Sequence, residues 1–353
     1  MAYTASLILL AFTATLALLR AGYPLAARLG LLDQPGGRKV HSGRIPLIGG
    51  LAIYLAMWIV VAITPDTSQN VLVLLACAGI LVLVGAIDDR YNLPVLPRLA
   101  AQGIATVLMI ELSGLYLHSP VPALGLVALD PALGKALTVL AVVGLINAFN
   151  MIDGIDGLAG SLALISVLTL TIGQAFFGYF QATAQLLIFA AALTGYLAVN
   201  LCITTRKKVF LGDAGSLLIG FVLAWALIAT TQGQKPSLPA SFAIWAVALP
   251  AFDIISVMSR RIRKGQSPFR ADRTHLHHIC LRAGLEHRQA LGVMILLSIS
   301  LSLIGALLTQ FTNELTSVCA FLVLLAGYWY GQARIWKILV WIRKERLVPT
   351  KSR

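Results

Sequence analysis

Charge is what this chain has least of. Only 12% of its 353 residues are charged, and no more than 14 are Asp or Glu, where an ordinary soluble domain carries roughly a quarter. A soluble fold of this length has no need of repeated uncharged runs, so the shortage excludes one. Cysteine is scarce too: the chain has four, none in a CxxC pair, which speaks against a disulfide framework or a cysteine-rich metal site. The first apolar run lacks a basic leader (MAYTASL) and is followed by Arg20, so it reads as a retained helix rather than a cleaved signal peptide. Between the apolar runs no segment facing the basic side exceeds roughly 35 residues, too short for a separate soluble domain. Neither an internal repeat nor a low-complexity tract is evident.

Uncharged runs fill the space left by charge. They cover 1–19, 45–65, 67–87, 136–152, 214–234, 236–252, 289–313 and 315–333, and 157–205 is long enough for two spans with a turn near Gly173–Gln185. The stretch 99–129 carries only Glu111. About 20 helical residues cross the hydrocarbon core. The reading is an all-α, polytopic integral membrane protein of about eleven transmembrane helices, ten being the alternative count. It is a single membrane-embedded domain over 1–353.

The cations then orient the chain, because Lys and Arg concentrate in short cytoplasmic loops. With the N-terminus periplasmic and the C-terminus cytoplasmic, every one of the 27 Lys and Arg except Lys135 and Lys235 falls inside. The net charge of +13 becomes a cytoplasmic surface facing anionic headgroups of membrane lipid. No separate basic domain exists to bind nucleic acid.

Against this background the acids stand out. Asp88 and Asp89 (IDDRYN), Asp153 and Asp156 (NMIDGIDG) and Asp213 (FLGDAGS) sit at the edges of apolar runs, on the same inner side. Gathering like charges is costly unless a cation or a polyphosphate needs them. Asp88 and Asp89 point about 100° apart on a helix and share a target only if the helix ends there, as Asn92 and Pro94 suggest. Asn147, Asn150, Asp153 and Asp156 recur every third residue, a spacing that drifts about 60° per step. Neighbouring pairs can therefore share a ligand, but all four cannot line one straight face. In RKKVFLGDAGS, Asp213 or Ser216 is positioned to cap the next helix. The free N–H groups of that helix suit phosphate oxygens, and a carboxylate beside them suits Mg²⁺.

The last inner loop, RRIRKGQSPFRADRTHLHHICLRAG, carries His275, His277 and His278 without the Cys or Glu spacing of a familiar zinc site. Imidazoles among Arg270 and Arg273 suit phosphate instead. Asp253, in the span before it, is read either as paired with a neighbouring cation or as functional. In the first inner loop, Pro46 and Gly49–Gly50 allow close packing at a helix start. The expected active-site loops are thus 30–45, 88–97, 147–158, 202–216 and 260–290.

HSGRIPLIGG, GAIDDRYN, NAFNMIDGIDGL, VFLGDAGS and SPFRADRTHLHHI together resemble the polyprenyl-phosphate N-acetylhexosamine-1-phosphate transferases over about Leu29–Arg288. The resemblance implies transfer of a sugar 1-phosphate, most simply GlcNAc-1-phosphate, from a UDP-N-acetylhexosamine to undecaprenyl phosphate, with UMP released and Mg²⁺ or Mn²⁺ required. It implies a bacterial inner-membrane enzyme that begins O-antigen or other cell-envelope polysaccharide synthesis, with a homodimer as one assembly open to it. It implies that Asp213 is a metal ligand assisted by Asn150, and that Asp88, Asp89 and Asp156 are catalytic. Asp153 would serve nucleotide binding or catalysis, Phe210 would lie against uracil, and Arg270, Arg273, His275, His277 and His278 would bind substrate phosphate. The family's acidic motif often has a third Asp, and here Asn92 stands in its place. A relative using another UDP-sugar, such as a phospho-N-acetylmuramoyl-pentapeptide transferase, is the rival within the family. A secondary transporter is the rival outside it, although its acids would lie nearer the bilayer midplane.

Overall fold

A computed structural model describes residues 2–33, 43–65, 67–119, 128–179, 184–205, 207–233, 236–268 and 274–346. The fold is built on helices: α1 (Ala2–Leu29), α2 (Gly49–Ile63), α3 (Gln69–Tyr91), α4 (Val95–Ser113), α5 (Pro131–Ile152), α6 (Leu158–Phe176) and α7 (Ala184–Asn200). There follow α8 (Gly212–Gln232), the short α9 (Ala240–Ala243), a 3₁₀ turn at Ile244–Val247, α10 (Ala248–Arg263), α11 (Leu276–Arg282), α12 (His287–Phe311) and α13 (Glu314–Arg346). A two-residue antiparallel pair, β1 (Leu32–Asp33) with β2 (Ile45–Pro46), precedes α2.

Among the described residues nine helical stretches are long and apolar enough to cross a membrane, α9, the 3₁₀ turn and α10 counting as one. Two shorter apolar helices, α2 with 15 residues and α7 with 17, accompany them. The long uncharged stretch 157–205 divides into α6 and α7 within the expected interval. Helices outrun the uncharged stretches at several C-terminal ends: α1 continues past Arg20 and Pro24 to Leu29, α10 to Arg263 and α13 to Arg346. Arg20 and Arg28 are exposed, so their long stems can carry the charge outward without ending the helix.

Helix ends are set by local chemistry. Asp130 caps α5 by accepting from the backbone N–H of Ala132 and Leu133, with Pro131 as the first helical residue. Asn92 ends α3 in the left-handed region at φ 51°, its N–H donating to Asp88 O at 2.8 Å. Asn tolerates that conformation better than most residues, which gives the Asn at this position a structural reason.

The buried axis is α8, packed against α2, α3, α5 and α6. Its close neighbours require glycine. A Cβ on Gly50 would lie 2.1 Å from Gly215 N, and one on Gly85 would lie 2.4 Å from Ala214 N. Backbone thus touches backbone where α2, α3 and α8 meet, as the Gly49–Gly50 pair led one to expect.

Candidate active site

The first turn of α8 collects the acidic motifs. The strand before it is held by α2: Gly49 N–H donates to Phe210 O at 3.0 Å and Gly50 N–H to Leu211 O at 2.9 Å. Phe210 N–H donates to Pro46 O at 2.8 Å, and Asn200 Nδ2 to Val209 O at 2.8 Å. These bonds fix where α8 begins and where Asp213 stands.

The expected cap of α8 comes from elsewhere. Neither Asp213 nor Ser216 caps it; Asp89, from the end of α3, accepts from Asp213 N–H at 2.8 Å and from Ala214 N–H at 3.3 Å. Gly212 permits this approach, because a Cβ there would lie 2.5 Å from Asp89 Oδ2. A capping acid 124 residues away in the sequence has no local signal, so sequence logic assigned the cap to its neighbours.

Asp88 and Asp89 reach Asp213 by different routes, although α3 continues past both to Tyr91. Asp88 is buried, accepting from Leu93 N–H at 2.6 Å and from Arg98 Nη1 at 2.8 Å. Its carboxyl is also close enough to the Asp213 carboxyl for the two negative charges to act on each other. Two carboxyls that close need a shared proton or a cation between them. Asn150 Nδ2 completes the group, donating to Asp213 Oδ1 at 2.6 Å and to Ser216 Oγ at 2.9 Å. Asn147, earlier in the same three-residue series, serves packing: its Nδ2 donates to Gln102 Oε1 at 2.6 Å and ties α5 to α4.

Asp153 follows α5 directly, with its side chain open to solvent although protein atoms crowd around it. Its carboxyl is pushed up to about 7, first by desolvation among those atoms and then by the negative charges of Asp213 and Asp156. Asp156 instead pairs with Lys208, whose Nζ also stands 5.8 Å from the centre of the Phe210 ring. A cleft of about 130 Å³ is lined by Asp156, Lys208, Asn200, Cys202, His287 and Arg288, with Leu201 and Leu291 as apolar walls. Asn200 Oδ1 is buried without a hydrogen-bond partner, an acceptor held ready on the lining of that cleft.

The histidine motif arrives from the far end of the chain. His277 lies against Gly154: a Cβ there would come 2.2 Å from His277 Nε2. His277 is fully buried with neither ring nitrogen bonded. Burial first, then the nearby His278, holds its pKa down to about 3, so it is neutral at physiological pH. The His275 ring stacks at 5.8 Å from His277, and the His278 ring lies tilted at 4.1 Å from it. Arg270 and Arg273, and most of the 30–45 loop, lie outside the described residues.

Sequence reasoning missed three supports. Arg98 and Lys208 entered it only as cytoplasmic charge, yet each holds a motif aspartate. Asp253 pairs with an imidazole of the histidine motif rather than with a chain neighbour. Among the described residues no three His, Cys, Asp or Glu side chains form a ready-made metal cage.

The glycosyl transferase family 4 model matches residues 71–231, the span that holds all five motif aspartates. The chain is 38% identical over 326 residues to the undecaprenyl-phosphate alpha-N-acetylglucosaminyl 1-phosphate transferase of Escherichia coli O157:H7, covering 91% of this chain and 89% of that protein. Proteins of the same description from Yersinia pestis (37% identical over 94% of this chain and 92% of theirs) and Haemophilus influenzae (37% over 92% of each) are similar in the same way.

Proposed function

The chain belongs to glycosyl transferase family 4, and from that premise we propose that it transfers GlcNAc-1-phosphate from UDP-GlcNAc to undecaprenyl phosphate, releasing UMP. One observation carries the reading onto this molecule: aspartates from three separated motifs converge around the first turn of α8.

The topology that fits has eleven spans, the nine long stretches plus α2 and α7, with the N-terminus periplasmic and the C-terminus cytoplasmic. The cation distribution supports it. So does the alternation of helix ends, since the last turns of α3 and α5 and the first turns of α2 and α8 meet at one pole. That pole would be the cytoplasmic face of a bacterial inner membrane, where a water-soluble nucleotide sugar and a lipid phosphate can both arrive.

A divalent ion fits the donor set, Mg²⁺ or Mn²⁺, because the neighbouring Asp88 and Asp213 carboxyls can be met by a cation as well as by a proton, and the carboxylates offer hard oxygen donors. Asp213 would hold it, with the Asn150 amide assisting. Mg²⁺ typically takes only one or two carboxylates and fills its shell with water and substrate phosphate, so a closed protein cage is not required. When bound, it would offset the charge of the diphosphate.

The residues divide the remaining work. The α8 N–H groups and Asp89 fix the position of Asp213. Lys208, beside Asp156 and Phe210, would meet the nucleotide, with the Phe210 ring as a surface for the base. His275, His277 and His278, with Arg270 and Arg273, would contact phosphate oxygens, His277 bringing two unbonded ring nitrogens that are buried against Gly154. The lipid phosphate has a second pKa near 6 and is largely dianionic at pH 7, so little proton removal is needed. Asp153, with a pKa of about 7, is the open carboxyl best matched to any residual proton. Both oxygens of Asp88 and of Asp89 already accept hydrogen bonds, which supports direct attack by the lipid phosphate over a covalent aspartyl intermediate.

The test incubates purified protein with undecaprenyl phosphate, Mg²⁺ and a panel of UDP-sugars, and identifies the lipid product by mass. A GlcNAc-diphospho-lipid is expected. A different sugar on the lipid would move the assignment within the family, and no lipid product with any donor would defeat it.

A further inference from the structure

Asp253 is an acid inside an apolar helix, buried to 1% exposure, and the proposed chemistry does not use it. Its surroundings show what it does. Oδ2 lies 2.6 Å from His275 Nδ1. Oδ1 accepts from Leu276 N–H at 3.0 Å, Tyr328 OH at 2.9 Å and Gln332 Nε2 at 3.0 Å. The donors come from three places: the residue that precedes α11, the first residue of α11, and two successive turns of α13.

We propose that Asp253 is a positioning residue for His275, and that α13, through Tyr328 and Gln332, completes the cradle. This rests on the functional reading above, in which the histidine motif contacts substrate phosphate.

Four donors converge on this one carboxylate and engage both of its oxygens as acceptors. It can only accept, so His275 Nδ1 carries a proton toward it, which leaves Nε2 as the ring nitrogen that can face a phosphate. The same arrangement orients imidazoles in metal sites, where losing the carboxylate commonly costs 10–100-fold. Leu276 N–H, bound to the same carboxylate, ties the start of α11 to α10. The stack of His275 on His277, and the contact of His277 with Gly154, carry that placement to the aspartate motifs. Arg263 over the Trp329 ring, at 3.9 Å, and Phe252 beside Tyr328, at 5.9 Å between rings, keep α13 against α10. Asp253 and its α13 donors lie beyond residues 71–231, so the family match itself says nothing about them.

The experiment is a double-mutant cycle on the full-length protein in detergent or nanodiscs, with UDP-GlcNAc and undecaprenyl phosphate. Asp253→Asn is expected to lower kcat about 10–100-fold, and Asp253→Glu to recover part of the loss. In a His275→Ala background, Asp253→Asn should change the rate by less than about twofold, because the partner through which it acts is gone. Independent losses that multiply, or wild-type kcat in Asp253→Asn, would overturn the proposal. Should Asp253→Asn fail to fold, Tyr328→Phe keeps the ring and removes one donor; it is expected to give a smaller loss that likewise vanishes in the His275→Ala background, and persistence there would overturn the proposal. A readout without turnover separates this inference from the functional one. The ¹⁵N ring shifts of His275 should report the Nδ1–H tautomer in wild type and a mixture in Asp253→Asn. Unchanged shifts would sink the positioning role even in an active enzyme, and the expected change would support it even if no lipid product formed.

Discussion

Two poles of one site are built on opposite plans. At the aspartate pole, backbone sets the frame to which Arg98 and Asn150 add side-chain bonds: Gly50 meets Gly215, Gly85 meets Ala214, and Asp89 binds the N–H groups of α8. At the histidine pole, side chains position side chains, with Asp253, Tyr328 and Gln332 around His275, while His277 stays buried with both nitrogens unbonded. The first plan gives rigidity and tolerates no added atom. The second leaves an unsatisfied group, which costs stability and keeps a donor or acceptor in reserve for a ligand.

Replacing groups at each pole should separate the plans. The largest effect is expected from Asp213→Asn, which removes the charge at the centre of the aspartate pole while keeping its shape. Its kcat/KM should fall about 10³-fold, or ~4 kcal/mol at the transition state, as measured by lipid-linked product formation; retention of a tenth of wild-type activity would remove Asp213 from the centre of the site. Next, Gly50→Ala should destabilise by about 1–3 kcal/mol through overpacking, seen as a lower Tm. Gly103→Ala, with nothing within 4 Å of the added Cβ, should leave Tm unchanged or raise it. Equal shifts for both glycines would show that backbone contact at α2 and α8 is not what limits stability.

At the other pole the signs should reverse. His277→Met removes an imidazole whose buried nitrogens lack partners, so Tm should hold or rise by the equivalent of about 1 kcal/mol, while turnover falls tenfold or more. A lower Tm would mean that the ring is structural. The smallest effect concerns Asp153. Its pKa of about 7, above the ordinary 3.8, means that the folded protein binds the proton more tightly than the unfolded chain. Ionising it therefore costs stability as pH rises from about 4 to 7, and the cost is complete above 7. In metal-free buffer the Tm advantage of Asp153→Asn should grow over that range and then level off; a flat difference would refute the raised pKa.

Much of this was legible in the sequence because membranes impose simple rules. Uncharged runs marked the apolar helices, and their alternation with cations leads one to expect the five motif aspartates on one side. The Gly49–Gly50 pair announced close packing. What could not be read were partnerships across long separations. Asp89 caps a helix 124 residues on, Asp253 meets Gln332 79 residues on, and no periodicity encodes either. Asn92 was legible only as a missing charge; its left-handed backbone at the end of α3 explains it as a helix terminator. Asp88 and Asp89 were legible as a pair, but the helix carries on past them, and only the fold around Asp213 brings both to it.

The seam between α2 and α8 has a further consequence. A carrier that swaps access between compartments needs an internal joint that can part and re-form. Here the first turns of two apolar helices are pressed together main chain to main chain at Gly50 and Gly215. Such a platform stays put, and its substrates must do the travelling: the polyprenyl tail sideways through lipid, the nucleotide up from water.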